Sequence, residues 1–144
     1  MRRALLLLFL PLTASGAQVE LTRTQLCEFS ERIVIGEVTD VEHRPTEDDS
    51  IERKVHLAVS HTLKGPASDD ATVTAPGGTL GDLTLWVEHS PKFLIEARYM
   101  LFIRADGHVV GGEQGTIRVA KGEQALKGET LESAIQSIED CRAK

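Results

Sequence analysis

Arg53-Lys54-Val55-His56-Leu57-Ala58-Val59-Ser60-His61-Thr62-Leu63-Lys64-Gly65-Pro66 is the stretch that decides the fold class. Val55, Leu57, Val59 and Leu63 alternate with Lys54, His56, Ser60 and Thr62. A period of two is the signature of a half-buried strand. Gly65-Pro66 ends it.

The flanking sequence repeats this character. Residues 33–42 are rich in β-branched side chains, and Gly36 among them marks a bulge or a tight barrel bend. Residues 44–50, with Pro45, read as a polar, acidic loop. Residues 71–74 form a short strand, and residues 76–81 (Pro76, Gly77, Gly78, Thr79, Leu80, Gly81) a flexible connection. Leu83, Leu85 and Val87 then alternate with Thr84, Trp86 and Glu88. Residues 98–104 are apolar on both faces, as in a central strand. Asp106-Gly107 is a hairpin signal, and residues 108–111 and 116–120 complete the sheet around a Gly-rich loop.

Both ends of this β-rich body read as helix. Thr22 and Gln25 have the spacing of a capping box, followed by Leu26, Phe29 and Ile33 at i, i+3, i+7, which gives a short helix over residues 23–30. Near the C-terminus Thr130 is a cap and Glu132 suits the first turn. Leu131, Ala134, Ile135, Ile138 and Cys141 make one apolar stripe. Six or seven short strands with Gly-rich corners, no βαβ alternation and a helix at each end argue for a β-dominated domain. The expected architecture is a small closed Greek-key barrel of the OB type.

The first 17 residues read as a secretory signal peptide. Arg2 and Arg3 precede an apolar run from Ala4 to Leu12, and Ser15 and Ala17 sit at −3 and −1 of the cut. The run is far short of the roughly 20 residues a membrane-spanning helix needs. Residues 18–144 are then one domain. Removing Arg2 and Arg3 takes the formal net charge from −6 to −8. Such a balance offers no broad attraction for nucleic-acid phosphates, and one Trp and one Tyr make a poor base-stacking platform.

The chain has two cysteines, Cys27 and Cys141. An even count in an exported chain points to a disulfide; the alternative is two free thiols. Closing a loop of that length is worth about 4–5 kcal/mol in the chain-entropy treatment.

Several landmarks in order resemble the netrin-like module, the fold of the N-terminal domain of tissue inhibitors of metalloproteinases. They are the early helix with Cys27, the strand Arg32-Ile33-Val34-Ile35-Gly36-Glu37-Val38, the turn Leu63-Lys64-Gly65-Pro66, the corner Thr74-Ala75-Pro76, the strand Tyr99-Met100-Leu101-Phe102, and the last helix with Cys141. The chain is also similar to bacterial secreted proteins with the same landmarks. The resemblance implies the OB-type barrel and a first-to-last-helix disulfide. It also implies a protease-facing ridge built from the mature N-terminus and the corner after Pro76. The inhibitors chelate the protease zinc with an N-terminal cysteine bridged to a cysteine near that corner. This chain has neither, so the fold carries over better than the chelation.

On this reading the partner-binding residues are Gln18 and Val19 at the mature start, and Pro76, Gly77, Gly78, Thr79 and Leu80 at the corner. Glycines let backbone approach a partner closely. An outward Trp86 is either a binding anchor or covered by a neighbouring loop, the second being the commoner case. His43, His56, His61, His89 and His108 have no recognised ligand spacing, so no metal or other cofactor is expected. Ser60 and Ser90 lie in no nucleophile motif, and Glu47, Asp48, Asp49 and Glu52 lack a calcium-loop pattern. The expected function is a secreted, non-enzymatic protein-binding module acting by occlusion on a secreted metalloprotease. The alternative is an extracellular structural or oligosaccharide-binding barrel.

Overall fold

The computed structural model describes residues 19–119, 124–125 and 129–142. The signal segment and Gln18 lie outside the described residues. Element order is α1 (Arg23–Phe29), β1 (Arg32–Pro45), β2 (Ile51–Lys64), β3 (Asp70–Pro76), β4 (Gly78–Leu80), β5 (Leu83–Leu85), β6 (Arg98–Ile103), a 3₁₀ turn (Gly112–Gly115), β7 (Thr116–Val119), β8 (Gln124–Ala125), β9 (Glu129–Thr130) and α2 (Leu131–Arg142). The structure is mostly β, as the sequence predicts. No helix among the described residues is long and apolar enough to cross a membrane.

The main sheet has the order β3-β2-β1-β6-β7-β8-β9, and β4-β5 form a separate hairpin. β1 and β2 are longer than the sequence reading allowed. Pairing runs out to Pro45 and Ile51, leaving only residues 46–50 as the loop. The two strands slip register at Ile33/Val34, Ile35/Gly36 and Val38/Asp40. Each slip inserts an unpaired residue, which bends and twists the ladder. Gly36 lies at the second slip, and a Cβ there would stand 2.9 Å from the Ala58 carbonyl oxygen. The expected bulge at Gly36 is therefore present, and the close approach of β2 is why the position is a glycine.

The slips also split the apolar row of β2. Val55 and Leu57 pack with Val34, Val38, Val73, Tyr99 and Leu101 inside the curl of the sheet. Leu63 instead packs with Ile33, Ile35, Met100 and Phe102 against the helices. The sequence places Leu63 with Val55 and Leu57; the extra residue between Val59 and His61 reverses the alternation and moves it to the other face. β6 separates the two cores. Tyr99, Leu101 and Ile103 face one, Met100 and Phe102 the other, as its unbroken apolar run predicts.

The continuous ladders leave the sheet open, so they do not make the closed barrel expected from the sequence. The segment between β3 and β6 that would close it is residues 104–110, which contributes single bridges only. Thr74 bridges His108 in parallel and Ile103 bridges Val109 antiparallel. Gly111 and Gly112 then take φ 64° and 59° and turn the chain away before a ladder can extend.

The helices behave largely as their caps dictate. Thr22 Oγ1 accepts from the Gln25 amide at 3.1 Å, and Gln25 Oε1 accepts from the Thr22 amide at 2.9 Å. The expected stripe fails at its second member, however. Phe29 is exposed and Ile33 belongs to β1, because α1 stops at the Ser30 cap. Lys64 Nζ donates to the Cys27 and Ser30 carbonyls at 2.8 and 2.6 Å, satisfying groups that the helix end leaves open. In α2, Leu131, Ala134 and Ile138 are buried as predicted, and Thr130 Oγ1 accepts from the Ser133 amide. Cys27 and Cys141 form the expected disulfide, with Cα atoms 6.4 Å apart.

Candidate functional site

The corner after β3 is a built structure and not the flexible connection the sequence suggested. Two consecutive glycines make it possible. Gly77 has φ 87° and its amide donates to the Ile51 carbonyl at 2.8 Å; a Cβ there would meet the Leu85 carbonyl oxygen at 2.9 Å. Gly78 has φ 152°, and a Cβ would stand 2.6 Å from His43 Nδ1, with Ile51 and Arg53 close behind. Only glycine lets the backbone lie down on β1 and β2 here. β4 then pairs Gly78, Thr79 and Leu80 with Leu85, Thr84 and Leu83 of β5, around a turn at Gly81.

Two side chains from the main sheet pin this hairpin. His43 Nδ1 accepts the Thr79 amide at 2.9 Å. Because Nδ1 is the acceptor, Nε2 carries the ring proton. Arg53 Nε donates to the Gly77 carbonyl at 3.1 Å. Its Nη2 donates to the Pro76 carbonyl at 3.2 Å and to Ser90 Oγ at 2.8 Å. Ser90 Oγ donates its own hydrogen bond to the same Pro76 carbonyl, at 2.7 Å. Ser90 is thus spent on the scaffold. Burial pushes the Arg53 guanidinium below its ordinary value, though an arginine remains charged at neutral pH.

Between the hairpin, residues 86–92 and the 3₁₀ turn lies a cleft of about 410 Å³. Pro76, Gly77, Gly78, Thr79 and Trp86 contribute to its wall, with Arg53 and His43 on the sheet side. Leu80 belongs to the same hairpin and pairs with Leu83. Trp86 is 74% exposed, so the covered alternative for this residue is not met: no helix or loop among the described residues lies over it. Leu83, expected to face inward, is 65% exposed. Leu85 and Val87 are half-buried while Thr84, Trp86 and Glu88 are exposed, so the expected alternation holds from residue 84 on and fails only at Leu83, at the hairpin tip. His89 sits at φ 60° with Glu88 and Glu113 at 3.4 and 3.6 Å from its ring nitrogens.

The N-terminal segment is tied to the same side of the molecule. Gln114, in the 3₁₀ turn, donates to the Val19 carbonyl at 2.8 Å and accepts from the Leu21 amide at 2.6 Å. Its neighbour Glu113 lines the cleft and donates its amide to the His89 carbonyl at 3.1 Å. Val19 is 76% exposed. The fold therefore connects Val19 to the corner residues through one short turn.

The remaining candidates have structural partners. Ser60 Oγ donates to the Ile35 carbonyl at 3.2 Å. Glu52 pairs with Arg44 at 2.9 Å. Asp48 accepts a hydrogen bond from the Thr46 hydroxyl in the 46–50 turn, which holds its carboxyl below the usual carboxylate range. Among the described residues no three His, Cys, Asp or Glu side chains converge as metal ligands.

Sequence reasoning missed Arg53 as a member of the site. The signal was present: Ile51, Arg53, Val55 and Leu57 share one parity on β2, so Arg53 stands in the apolar row. No family model matches the chain, and no curated protein or solved structure does so either.

Proposed function

We propose that this chain is an exported, non-enzymatic binding module of netrin-like plan that recognises a protein partner through Val19 and the Pro76–Leu80 corner. In this reading residues 1–17 are removed on export. The sheet acts as an OB-type barrel, its seam held by the Thr74–His108 and Ile103–Val109 bridges. The disulfide suits an oxidising compartment.

The observation that carries the proposal is the exposed Trp86 beside the corner, at a cleft whose donors are already fixed in place. A large, rigid, exposed aromatic ring on a preorganised surface is the usual anchor of a protein interface. The mechanism is occlusion: the hairpin and the N-terminal segment enter a partner's cleft and block it. The partner is a secreted metalloprotease. No cysteine stands at the mature start or at residues 77–81, so the free α-amine is the ligand left to reach a zinc ion. Residues added ahead of the mature start then abolish inhibition without changing the melting temperature. An extended variant that still inhibits removes chelation from the mechanism.

The exposed Trp86 face also favours a second reading, an extracellular barrel that stacks a sugar ring in the cleft. Binding of a neutral oligosaccharide, with no protein recovered, supports that reading over the first.

A further inference from the structure

Arg53 is a half-buried cation with no carboxylate partner among the described residues. Its Nε and Nη2 are committed to the Pro76 and Gly77 carbonyls and to Ser90 Oγ, whereas Nη1 makes no hydrogen bond among the described residues and is not one of the buried, unsatisfied atoms. This occurs in a chain with 22 acidic residues against 16 basic ones. The two carboxylates that share the cleft, Glu88 and Glu113, face His89 instead. Lys92 lines the same cleft and has no ion pair among the described residues. His43 presents a second fixed donor, since its Nδ1 is occupied by the Thr79 amide. Arg53 Nη1 and His43 Nε2 are therefore donors on two cleft-lining residues with no acceptor among the described residues, on side chains held in place by backbone contacts.

We propose that the cleft is a receptor for a carboxylate side chain, Asp or Glu, on an extended peptide segment of the protein partner. This rests on the protein-binding reading above and names the chemistry of its contact. The carboxylate sits against Arg53 Nη1 and His43 Nε2, and the peptide's neighbouring apolar residue packs on Trp86. An extended peptide is the occupant because β5 pairs only with β4 among the described residues. Its outer edge, Leu83–Leu85, is free to accept another strand alongside the cleft. Charge-assisted bonds of this kind are roughly twice as strong as neutral ones, and Arg53 is half-buried.

The test needs no substitution in Arg53, whose loss would also release the Pro76 and Gly77 carbonyls. The ¹⁵N-labelled exported protein is titrated with acetyl-Val-Thr-Glu-Val-Thr-amide and, separately, with the same peptide carrying Gln for Glu. The expected result is a shift of the Arg53 Nε–H and Trp86 indole signals with the Glu peptide, and binding roughly tenfold weaker with Gln. Trp86→Ala, at an exposed position, weakens the Glu peptide as well. Equal binding of the two peptides, or no shift at Arg53, overturns the proposal. So does saturation by an oligogalacturonate with no response to the peptides, which assigns the donors to an acidic sugar. If neither peptide binds while a partner protein is still captured through Trp86, the carboxylate receptor fails and the binding module stands.

Discussion

Cys27 and Cys141 join the first helix to the last across 114 residues of sequence, with α1 and α2 packed side by side over the outer face of the sheet. Arg23 reinforces the junction from the other side. It forks onto Glu129 at 3.1 and 2.8 Å and reaches Ser137 at 3.3 Å. The ends of the domain are therefore held together by a covalent bond and by a part-buried ion pair.

Cys27→Ser with Cys141→Ser should lower stability by about 2–5 kcal/mol, the usual loss for a native bridge in a small exported domain. Thermal melting of the double variant against the parent measures it. An unchanged melting temperature means that Leu26, Leu131, Ala134 and Ile138 hold the helices without the bridge.

Gly78→Ala should damage the corner selectively. The new methyl group must displace the His43 ring, which lies 2.6 Å from the ideal Cβ position. The expected cost is about 1–3 kcal/mol, the range for locally strained backbone. Hydrogen exchange of the Thr79 amide, which donates to His43, should accelerate most. Gly81→Ala is the control: φ is 57° but nothing lies within 4 Å, so only the cost of the left-handed conformation, about 1 kcal/mol, should appear.

Acid should loosen the seam of the sheet before it unfolds the core. The backbone hydrogen bond from the His108 amide, at 3.0 Å, is the main reason the Asp106 carboxyl sits below the usual range; burial opposes it, and Arg104 and His108 beside it lower it further. A depressed carboxylate contributes stability above its unfolded value, near 3.9, and loses that contribution as pH falls through the folded value. The carboxylate is largely exposed, so the effect is local and small. Protection of the His108 amide, and of the Thr74 amide that donates to the Gly107 carbonyl, should fall below about pH 4. Equal protection at pH 5 and pH 3 contradicts this.

Much of the fold was legible because single residues dictate single outcomes. Thr22 and Gln25 have the spacing of a capping box, the run from Tyr99 to Phe102 is apolar on both faces, and an even cysteine count in an export-type sequence favours a bridge over two free thiols. What was hidden depends on two strands at once. The slip between Val59 and His61 is a property of β1 against β2, and it reverses the alternation that would have put Leu63 with Val55 and Leu57. The hairpin was hidden for a different reason. Pro76-Gly77-Gly78 reads as loss of structure, yet those glycines are what let β4 lie against His43, Ile51 and Arg53. Trp86 was correctly placed opposite Leu83 and Leu85, but exposure depends on what covers a side chain, and periodicity is silent on that. The open edge of the sheet has the same origin: a Greek-key pattern specifies which strands meet, not how many bonds they exchange at the seam.

The most direct test of the binding reading is a paired capture from the organism's own secreted fraction. The protein comprising residues 18–144 and its Trp86→Ala variant each carry a tag at Lys144 so that the N-terminus stays free. The expected result is recovery of a secreted zinc protease, its activity suppressed, by the parent and its loss with Trp86→Ala at unchanged melting temperature. Identical recoveries from parent and variant, or no protein from either, contradict the assignment of the corner and Trp86 as a protein-binding surface.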